Sequence, residues 1–396
     1  MPQTATLEKP KTTTLDALYT LIRDDLQQVD ELILTRINNE IPLIRDVSKH
    51  IIGSGGKRIR PALTLIASQL CEYKGQRHIA LATCVEFIHT ATLLHDDVVD
   101  ESKLRRGRAT ANDVFGNKAS VLVGDFLLSQ AFQFMVNDGS LKVLKILSDT
   151  TAIIAKGEAM QLMTQGNPES SIEQYLQVIS SKTAVLFAAA CELGAVLAGE
   201  ENKEEPLREF GIYTGIAFQL IDDALDYAAD EARLGKTVGD DFREGKITLP
   251  VILAYNAGTP EEKSFWTRTL GDLDQYPQDL ERAQGLLTKY NAITQTHAMA
   301  RHYCDKARKA LSGFEAGPQR EAMLDIVDFC AARTEHEYDA AQCAQRTVGT
   351  RGQSTPKVGR CGGRAVEIRT DRDALVGGAR RIRFPRDRKE AETCFA

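Results

Sequence analysis

Apolar side chains recur every three to four residues along most of this chain. The first such run begins at Leu15, and the periodicity continues with few interruptions to about residue 335. This spacing places apolar side chains on one face of an α-helix, and the alternation typical of half-buried strands is scarce. The pattern therefore predicts an all-α protein. After the helix that starts at Leu15, helices are expected at roughly 61–76, 79–100, 108–136, 140–165, 171–199, 205–229, 246–256, 260–272, 277–290, 293–312 and 317–335.

The same pattern divides the chain into three segments. Residues 1–14 are polar and are predicted to be disordered, and residues 15–335 are predicted to form one helical domain. Residues 336–396 lack periodicity, are rich in glycine and arginine, and are predicted to form a basic, disordered tail. Three interpretations of this tail stay open: a solvated tail without specific function, a basic arm for anionic membrane or RNA, or the product of a shifted stop codon.

Composition and charge narrow the classes of function. A chain of 396 residues with 43% hydrophobic content can bury a sizeable core. Its net charge is −6, and because the tail is basic, the body carries the negative charge. An acidic body argues against nucleic-acid binding as the main role. The eight cysteines lack regular spacing, the N-terminus does not resemble a signal peptide, and no apolar run spans a bilayer. We therefore expect a cytoplasmic protein with reduced thiols and no transmembrane segment.

Two copies of one acidic motif interrupt otherwise apolar stretches. The first aspartate motif is Asp96, Asp97 and Asp100, and the second aspartate motif is Asp222, Asp223 and Asp226. On a helix, the first and last aspartates of each motif share a face because they are four residues apart. Carboxylate oxygens suit hard divalent cations such as Mg²⁺, which also bind phosphate oxygens. Two such faces across a helical bundle would hold a diphosphate between metal ions.

Basic residues stand near both motifs. An arginine pair follows the first motif and suits forked binding of phosphate oxygens, and two lysines follow the second motif as mobile point charges. A further basic pair adjoins a glycine-rich turn, which permits close approach of a second anionic substrate. These residues are, in that order, Arg105, Arg106, Lys236, Lys246, Lys57 and Arg60. Each lysine taken alone is also compatible with an ordinary surface position.

Together these motifs resemble the trans-type polyprenyl diphosphate synthases, which elongate allylic diphosphates with isopentenyl diphosphate. The resemblance runs from about Leu15 to Thr334 and rests on G-G-K-R-I-R-P, D-D-V-V-D with R-R-G, K-T and Q-L-I-D-D-A-L-D, in family order and spacing. It implies an isoprenoid-synthase-type helical bundle around a deep central cavity, and a homodimer. It also implies peripheral membrane contact as an option for product release.

The resemblance also implies roles for individual residues. Mg²⁺ would be held by Asp96, Asp97, Asp100, Asp222 and Asp226. The remaining catalytic and allylic-diphosphate contacts would be Arg105, Lys182, Thr183, Gln219, Asp223, Lys236 and Lys246. The isopentenyl diphosphate site would comprise Lys57, Arg60, His89 and Arg106, with Arg105 adjoining it. Metals and cations would stabilise the departing diphosphate while the isopentenyl double bond attacks the allylic carbocation, and the proton would pass to the released diphosphate.

The helix that carries the first motif bears on product length. Ala91 and Thr92 lie roughly 6–7.5 Å below Asp96 along a helix axis, and the short-chain members of the family carry bulky aromatics there. Because Ile88, a turn further, is only medium-sized, the growing tail is expected to enter an apolar channel. The alternative is that small residues merely let helices pack closely. Met160 and Leu162 are candidates for the channel floor, or plain core residues.

Several products and protein classes remain as alternatives. The body most resembles the synthases of quinone side chains, so decaprenyl diphosphate for ubiquinone is expected, with octaprenyl and solanesyl products as alternatives. A class I terpene cyclase would not be expected to carry the second aspartate motif or the second basic pair. A non-catalytic subunit of a heteromeric synthase would have lost aspartates, whereas this chain keeps all six.

Overall fold

A computed structural model describes residues 15–105, 107–228 and 239–332 of the chain. The predicted disorder of residues 1–14 and the predicted basic tail at 336–396 lie outside these residues, as do Arg106 and Lys236.

Helices form almost all of the described chain, so the predicted all-α fold is confirmed. Helices α1 to α6 span Asp16–Leu21, Arg23–Ile37, Pro42–Gly53, Ile59–Leu70, Arg77–Val99 and Ala111–Phe115. Helices α7 to α11 span Asn117–Asp138, Leu141–Thr164, Ile172–Ile179, Val185–Ala198 and Glu201–Ala228. Helices α12 to α17 span Asp240–Arg243, Leu249–Ala257, Pro260–Trp266, Asp279–Lys289, Ala292–Ala310 and 318–332. Two π-helical turns occupy Ser180–Ala184 and Thr267–Gly271.

One predicted helix, over 108–136, is wrong at its start. A small antiparallel hairpin pairs Leu104 with Ala109 and Arg105 with Arg108. Gly116 then separates α6 from α7, because its φ of 83° lies in a region that glycine adopts at little cost. Helical periodicity could not reveal either feature, since the apolar residues here keep a helical spacing on both sides of the break.

Helix α10 lies at the centre of the bundle and packs against α4, α5, α8 and α11. Apart from Glu192, its sequence is apolar on every side, as expected for a helix that is buried all round. A Cβ on Gly194 would lie 2.5 Å from the carbonyl carbon of Ala67 in α4, and one on Gly211 of α11 would lie 2.4 Å from the carbonyl oxygen of Phe187. The glycines therefore let three helices approach closely, which gives the bundle a rigid centre.

Two helical stretches in the described residues are apolar and long enough to cross a membrane by length and composition. The stretch Ile172–Ala198 is 78% buried over its apolar window, as expected of a core helix, and α7 is 44% buried. The outward side of α7 carries exposed Val121, Leu122, Phe132 and Val136. These helices are weak indicators of a membrane span, because core helices pass the same test.

Helices α12 to α15 form a smaller hydrophobic cluster beside the end of α11. Phe242, Trp266 and Leu270 are among its buried members, together with Tyr227 from α11. The backbone N–H of Gly239 donates to the carbonyl of Asp226 at 2.8 Å, so α12 is attached directly to the second aspartate motif. This hydrogen bond holds the segment that leads to Lys246 close to the main bundle.

Candidate active site

Both aspartate motifs border one central cavity of 860 Å³, between α5 and α11. The first motif ends α5 and the second ends α11, so two long helices bring residues more than a hundred positions apart to the same space. The cavity is lined by these residues predicted from the sequence: Lys57, Arg60, His89, Thr92, Asp96, Asp100, Arg105, Lys182, Thr183, Gln219, Asp222, Asp223 and Lys246. The predicted gathering of the two motifs around a central cavity is therefore present in the structure.

Asp97 of the first motif is fully buried beneath the cavity wall. Its Oδ1 accepts hydrogen bonds from Nε and Nη2 of Arg105, at 2.8 and 2.6 Å. Burial raises the pKa of Asp97, and the neighbouring guanidinium opposes that rise. The hairpin after α5 is what returns Arg105 to the helix end, so this ion pair fixes both the hairpin and the motif.

Asp96 and Asp100 face the cavity, and each meets a lysine from a distant segment. Lys246 Nζ lies 2.8 Å from Asp100 Oδ2, and Lys182 Nζ lies 3.5 Å from Asp96 Oδ2. Burial alone would lower the pKa of Lys246, but the charges of Asp241, Asp100 and Glu244 outweigh it, so its pKa is raised. The two lysines therefore stay charged and neutralise part of the acidic wall.

Glu158 on α8 joins this charged group, although its sequence gave no motif to indicate a role. Its Oε2 accepts a hydrogen bond from Lys182 Nζ at 2.7 Å. Burial, followed by the negative charge of Asp96, raises the pKa of Glu158 to about 7. The same stretch of α8 carries other polar residues, including Lys156 and Gln161, so no local pattern marked this carboxylate.

The second motif is held by a chain of hydrogen bonds that begins at another residue missed in the sequence, Tyr175. Its hydroxyl donates to Asp223 Oδ2 at 2.6 Å, and Gln219 Nε2 donates to Asp223 Oδ1 at 2.7 Å. Thr183 then donates to Gln219 Oε1 at 2.9 Å. Burial raises the pKa of Asp223 to about 6, and these donors partly offset that rise. The chain of bonds links α9, α11 and the π-helical turn.

Asp226, at the end of the second motif, is fully buried and does not border the cavity. Its Oδ2 accepts a hydrogen bond from the backbone N–H of Asp241 at 3.0 Å. In this structure the side chain therefore holds α12 in place, and its predicted contact with Mg²⁺ stays a prediction.

Lys182 and Thr183 both border the cavity although they are adjacent in sequence. They lie in the π-helical turn Ser180–Ala184, a local widening of the helix that often occurs at functional sites. Gly157 of α8 packs directly on this turn, and a Cβ there would lie 2.8 Å from the backbone nitrogen of Lys182 and 2.9 Å from Ser181 Cβ. The glycine therefore allows α8 to support the turn at contact distance.

The predicted isopentenyl diphosphate residues lie in the same cavity. Arg60 Nη1 lies 3.1 Å from His89 Nε2, and its guanidinium carbon lies 4.6 Å from the ring centroid of Phe187. Lys57 Nζ lies 4.1 Å from the ring centroid of Phe329 in α17. Aromatic faces attract such cations and help to hold them in position.

The residues expected to set product length divide between two environments. Thr92 borders the cavity and donates to the carbonyl of His89 at 2.8 Å. Ala91 and Ile88 are each 1% exposed and lie within the hydrophobic core. Leu162 is 61% exposed, so its interpretation as a channel floor or core residue is wrong. Its place in an apolar run gave a false signal because it faces outward from α8.

A family model described as polyprenyl synthetase matches residues 41–287, which include both aspartate motifs and the π-helical turn. The chain belongs to the polyprenyl synthetase family. The resemblance inferred from the motifs is thereby confirmed, as is the prediction of a prenyltransferase.

Relatives of this polyprenyl synthetase cover the body of the chain. Octaprenyl diphosphate synthase from Escherichia coli is 45% identical over 320 residues, which are 81% of this chain and 99% of the relative. Among solved structures, a polyprenyl synthase from Caulobacter crescentus, complexed with calcium and isoprenyl diphosphate, is 45% identical with a TM-score of 0.79 and covers 82% of this chain and 100% of its own. A decaprenyl diphosphate synthase from Rhodobacter capsulatus is 45% identical with a TM-score of 0.78, over 81% of this chain and 99% of its own.

The donor set of this polyprenyl synthetase fits hard divalent cations. Asp96, Asp100 and Asp222 offer carboxylate oxygens to one cavity, and Mg²⁺ prefers such oxygens together with phosphate. Within the described residues, no group of three or more His, Cys, Asp or Glu is already arranged around one metal position.

The π-helical turn yields a prediction about Gly157. The substitution Gly157→Ala should reduce kcat between about tenfold and a hundredfold, because even a displacement near 1 Å of a positioned group can cost that much. The reason is that the added Cβ would displace the backbone of Lys182. Steady-state incorporation of labelled isopentenyl diphosphate measures the change.

Gly285→Ala serves as the matched control, since it adds the same methyl group to a helical glycine with nothing within 4 Å. Its kcat should equal that of the wild type. A wild-type kcat for Gly157→Ala would contradict the role assigned to the close contact.

Proposed function

We propose that this protein is a long-chain trans-polyprenyl diphosphate synthase that requires Mg²⁺ and adds isopentenyl units to farnesyl or geranylgeranyl diphosphate. The observation that carries this proposal is the single cavity that gathers both aspartate motifs and both groups of basic residues. One group surrounds the first motif, and the other adjoins the glycine-rich turn before α4. The basic residues, and the Mg²⁺ that the aspartates would hold, therefore offer positive charge to two diphosphates. A condensation of two such substrates requires this.

In this proposal Asp96, Asp100 and Asp222 hold Mg²⁺, as their shared position on the cavity supports. When bound, the metal would supply positive charge that stabilises the negative charge developing on the departing allylic diphosphate. Lys182 and Lys246 add fixed positive charge from the facing segments, and Arg105 holds the first motif in place. Preorganised cations of this kind need little rearrangement during reaction.

The second substrate is assigned to the other basic group. Lys57, Arg60 and His89 would bind the diphosphate of isopentenyl diphosphate and aim its double bond at the allylic carbon. The contact of Arg60 with His89 supports a shared anion site. The proton lost after bond formation would pass to the released diphosphate, so no protein nucleophile is required.

The alternative of a non-catalytic subunit has less support. All six aspartates are present, and the described partners of the motifs, including Arg105, Lys246 and Tyr175, are in place. A subunit without catalytic function would have no need for this complete set of charges. The site therefore favours a chain that elongates by itself.

We propose decaprenyl diphosphate, a precursor of the ubiquinone side chain, as the product, with octaprenyl and solanesyl diphosphate as alternatives. Relatives named as octaprenyl and decaprenyl diphosphate synthases are each 45% identical to this chain. Ala91 and Thr92, five and four residues before Asp96, carry small, non-aromatic side chains. Both observations favour a long product over a short one.

A homodimer in the cytoplasm is also proposed. Helices α7 and α8 expose several large apolar side chains, and exposed apolar surface is typical of protein interfaces. These residues are Val121, Leu122, Phe132, Val136, Leu141, Leu162 and Met163. Peripheral membrane contact would suit release of a long apolar product.

Incorporation by the purified chain tests the proposed function. With Mg²⁺, farnesyl diphosphate and labelled isopentenyl diphosphate, the chain alone should form a product that co-migrates with decaprenol after dephosphorylation. Failure to incorporate label unless a second protein is added would contradict the proposal. Because each condensation adds five carbons to the fifteen of farnesyl diphosphate, a product that stops at twenty or twenty-five carbons would contradict the long-chain assignment.

The product-length assignment predicts that Ala91→Phe shortens the product. A phenylalanine at this position would fill the space below Asp96, so chromatography should show a shift to shorter polyprenols. Thr92→Phe provides a second test, because Thr92 borders the cavity and Ala91 lies in the core, where overpacking can cost about 1–3 kcal/mol.

Leu34→Phe is the matched control for these substitutions, since Leu34 is 55% exposed in α2 and lies outside the surface proposed for the dimer. Its product distribution should equal that of the wild type. Unchanged products from both Ala91→Phe and Thr92→Phe would rule out the proposed channel.

A further inference from the structure

Arg58 has an unusual backbone conformation at the start of α4. Its φ of 48° and ψ of 34° place a residue with a large side chain in the left-handed region. Such a conformation is strained for any residue other than glycine and persists only where surrounding contacts hold it. It reverses the chain between the glycine-rich turn and α4, and thus between Lys57 and Arg60. The contacts around Arg58 therefore bear directly on how this turn is held.

Two carboxylates hold the Arg58 guanidinium. Its Nη1 donates to Glu86 of α5, and its Nε lies 3.4 Å from Asp30 Oδ1 of α2. The Glu86 side chain is 10% exposed, so it is a carboxylate largely withdrawn from water beside a matching cation. The Arg58 side chain thereby joins three helices at one point.

Arg60 contacts the same face of α5, one helical turn beyond Glu86. Glu86 and His89 are three residues apart, which places them on one side of the helix. Glu86 binds Arg58, and His89 lies 3.1 Å from Arg60. Lys57 is fixed separately, because its carbonyl accepts a hydrogen bond from the Tyr19 hydroxyl. The turn is therefore attached at Lys57, Arg58 and Arg60, and each attachment limits where its cations can point.

We propose that Arg58 and Glu86 are positioning residues that set Lys57 and Arg60 for isopentenyl diphosphate. The ion pair fixes the left-handed turn, and the turn directs the two neighbouring cations into the cavity. This inference rests on the proposed function and on the assignment of Lys57 and Arg60 to the second substrate. The allylic diphosphate site is built from other segments and does not depend on this turn.

A direct role for Arg58 in substrate binding has less support. Its guanidinium faces two carboxylates, so its positive charge is already balanced and attracts a diphosphate weakly. Lys57 and Arg60 instead lie against the aromatic rings of Phe329 and Phe187. The two carboxylates around Arg58 match a positioning role for this residue.

Kinetics with each substrate varied in turn tests this proposal. Glu86→Gln keeps the shape of the side chain and removes its charge, and Arg58→Gly removes the guanidinium while allowing the left-handed backbone. Each variant should raise KM for isopentenyl diphosphate by about tenfold, as expected for imprecise placement of a binding group. KM for the allylic diphosphate should stay within about twofold of wild type, since that site uses other elements.

The double variant should be no worse than either single variant, because the two residues act as one unit. Asp138→Asn is the matched control: it removes a buried carboxylate from Arg77, an ion pair at the other end of α5, and should change neither KM. Glu86→Asp should recover part of the wild-type KM. Circular dichroism and thermal unfolding establish that each variant is folded, and Arg58→Gly keeps the test decisive if Glu86→Gln does not fold.

Three results would overturn the proposal. An increased KM for isopentenyl diphosphate in Arg58→Gly, with a normal KM in Glu86→Gln, would assign direct binding to Arg58. Equal increases in both KM values would indicate general disruption of the cavity, and multiplied effects in the double variant would show two independent contributions. Wild-type incorporation is measured first: its absence contradicts the proposed function, whereas a variant pattern without selectivity contradicts only the positioning role.

Discussion

The concentration of carboxylates around one cavity is the constraint on which the rest of the structure depends. Ionised groups withdrawn from water are costly unless opposite charges accompany them. The structure meets this requirement with cations drawn from separate segments: Arg105 from the hairpin, Lys182 from the π-helical turn and Lys246 from the segment after α12. Because each cation comes from a different element, the acidic site also determines how those elements meet. Carboxyl groups with raised pKa values still remain, which leaves the site suited to additional positive charge.

A rigid helical frame makes this balance possible. Apolar α10 anchors the bundle, and close glycine contacts fix its distances to α4 and α11. Several functional side chains then project from irregular places in that frame: a helix end, the π-helical turn, the hairpin and the left-handed residue at the start of α4. The regular helices fix where these elements lie, and the irregular turns determine the direction in which their side chains point. Strain and polar groups are thus concentrated where the proposed substrates would bind.

Much of this arrangement could be predicted from the sequence. The features that could not be predicted were missed for physical reasons. The helical period identified the bundle, and the spacing of Asp96 and Asp222 with their basic neighbours identified the site. Glu158 and Tyr175 escaped because a single polar residue in a helix carries no spacing signal. The split between α6 and α7 escaped because periodicity is preserved across it. The different surroundings of neighbouring aspartates likewise depend on tertiary contacts that no local pattern contains.

The central claim is that the two aspartate motifs act together, through divalent cations, to hold a diphosphate. Calorimetric titration of the full chain with inorganic diphosphate, in the presence and absence of Mg²⁺, tests it most directly. Binding should require Mg²⁺ and should weaken by about a hundredfold in both Asp96→Asn and Asp222→Asn, since loss of a charged contact costs about 1.5–3 kcal/mol. Equal binding without Mg²⁺, or dependence on only one of the two motifs, would contradict the account.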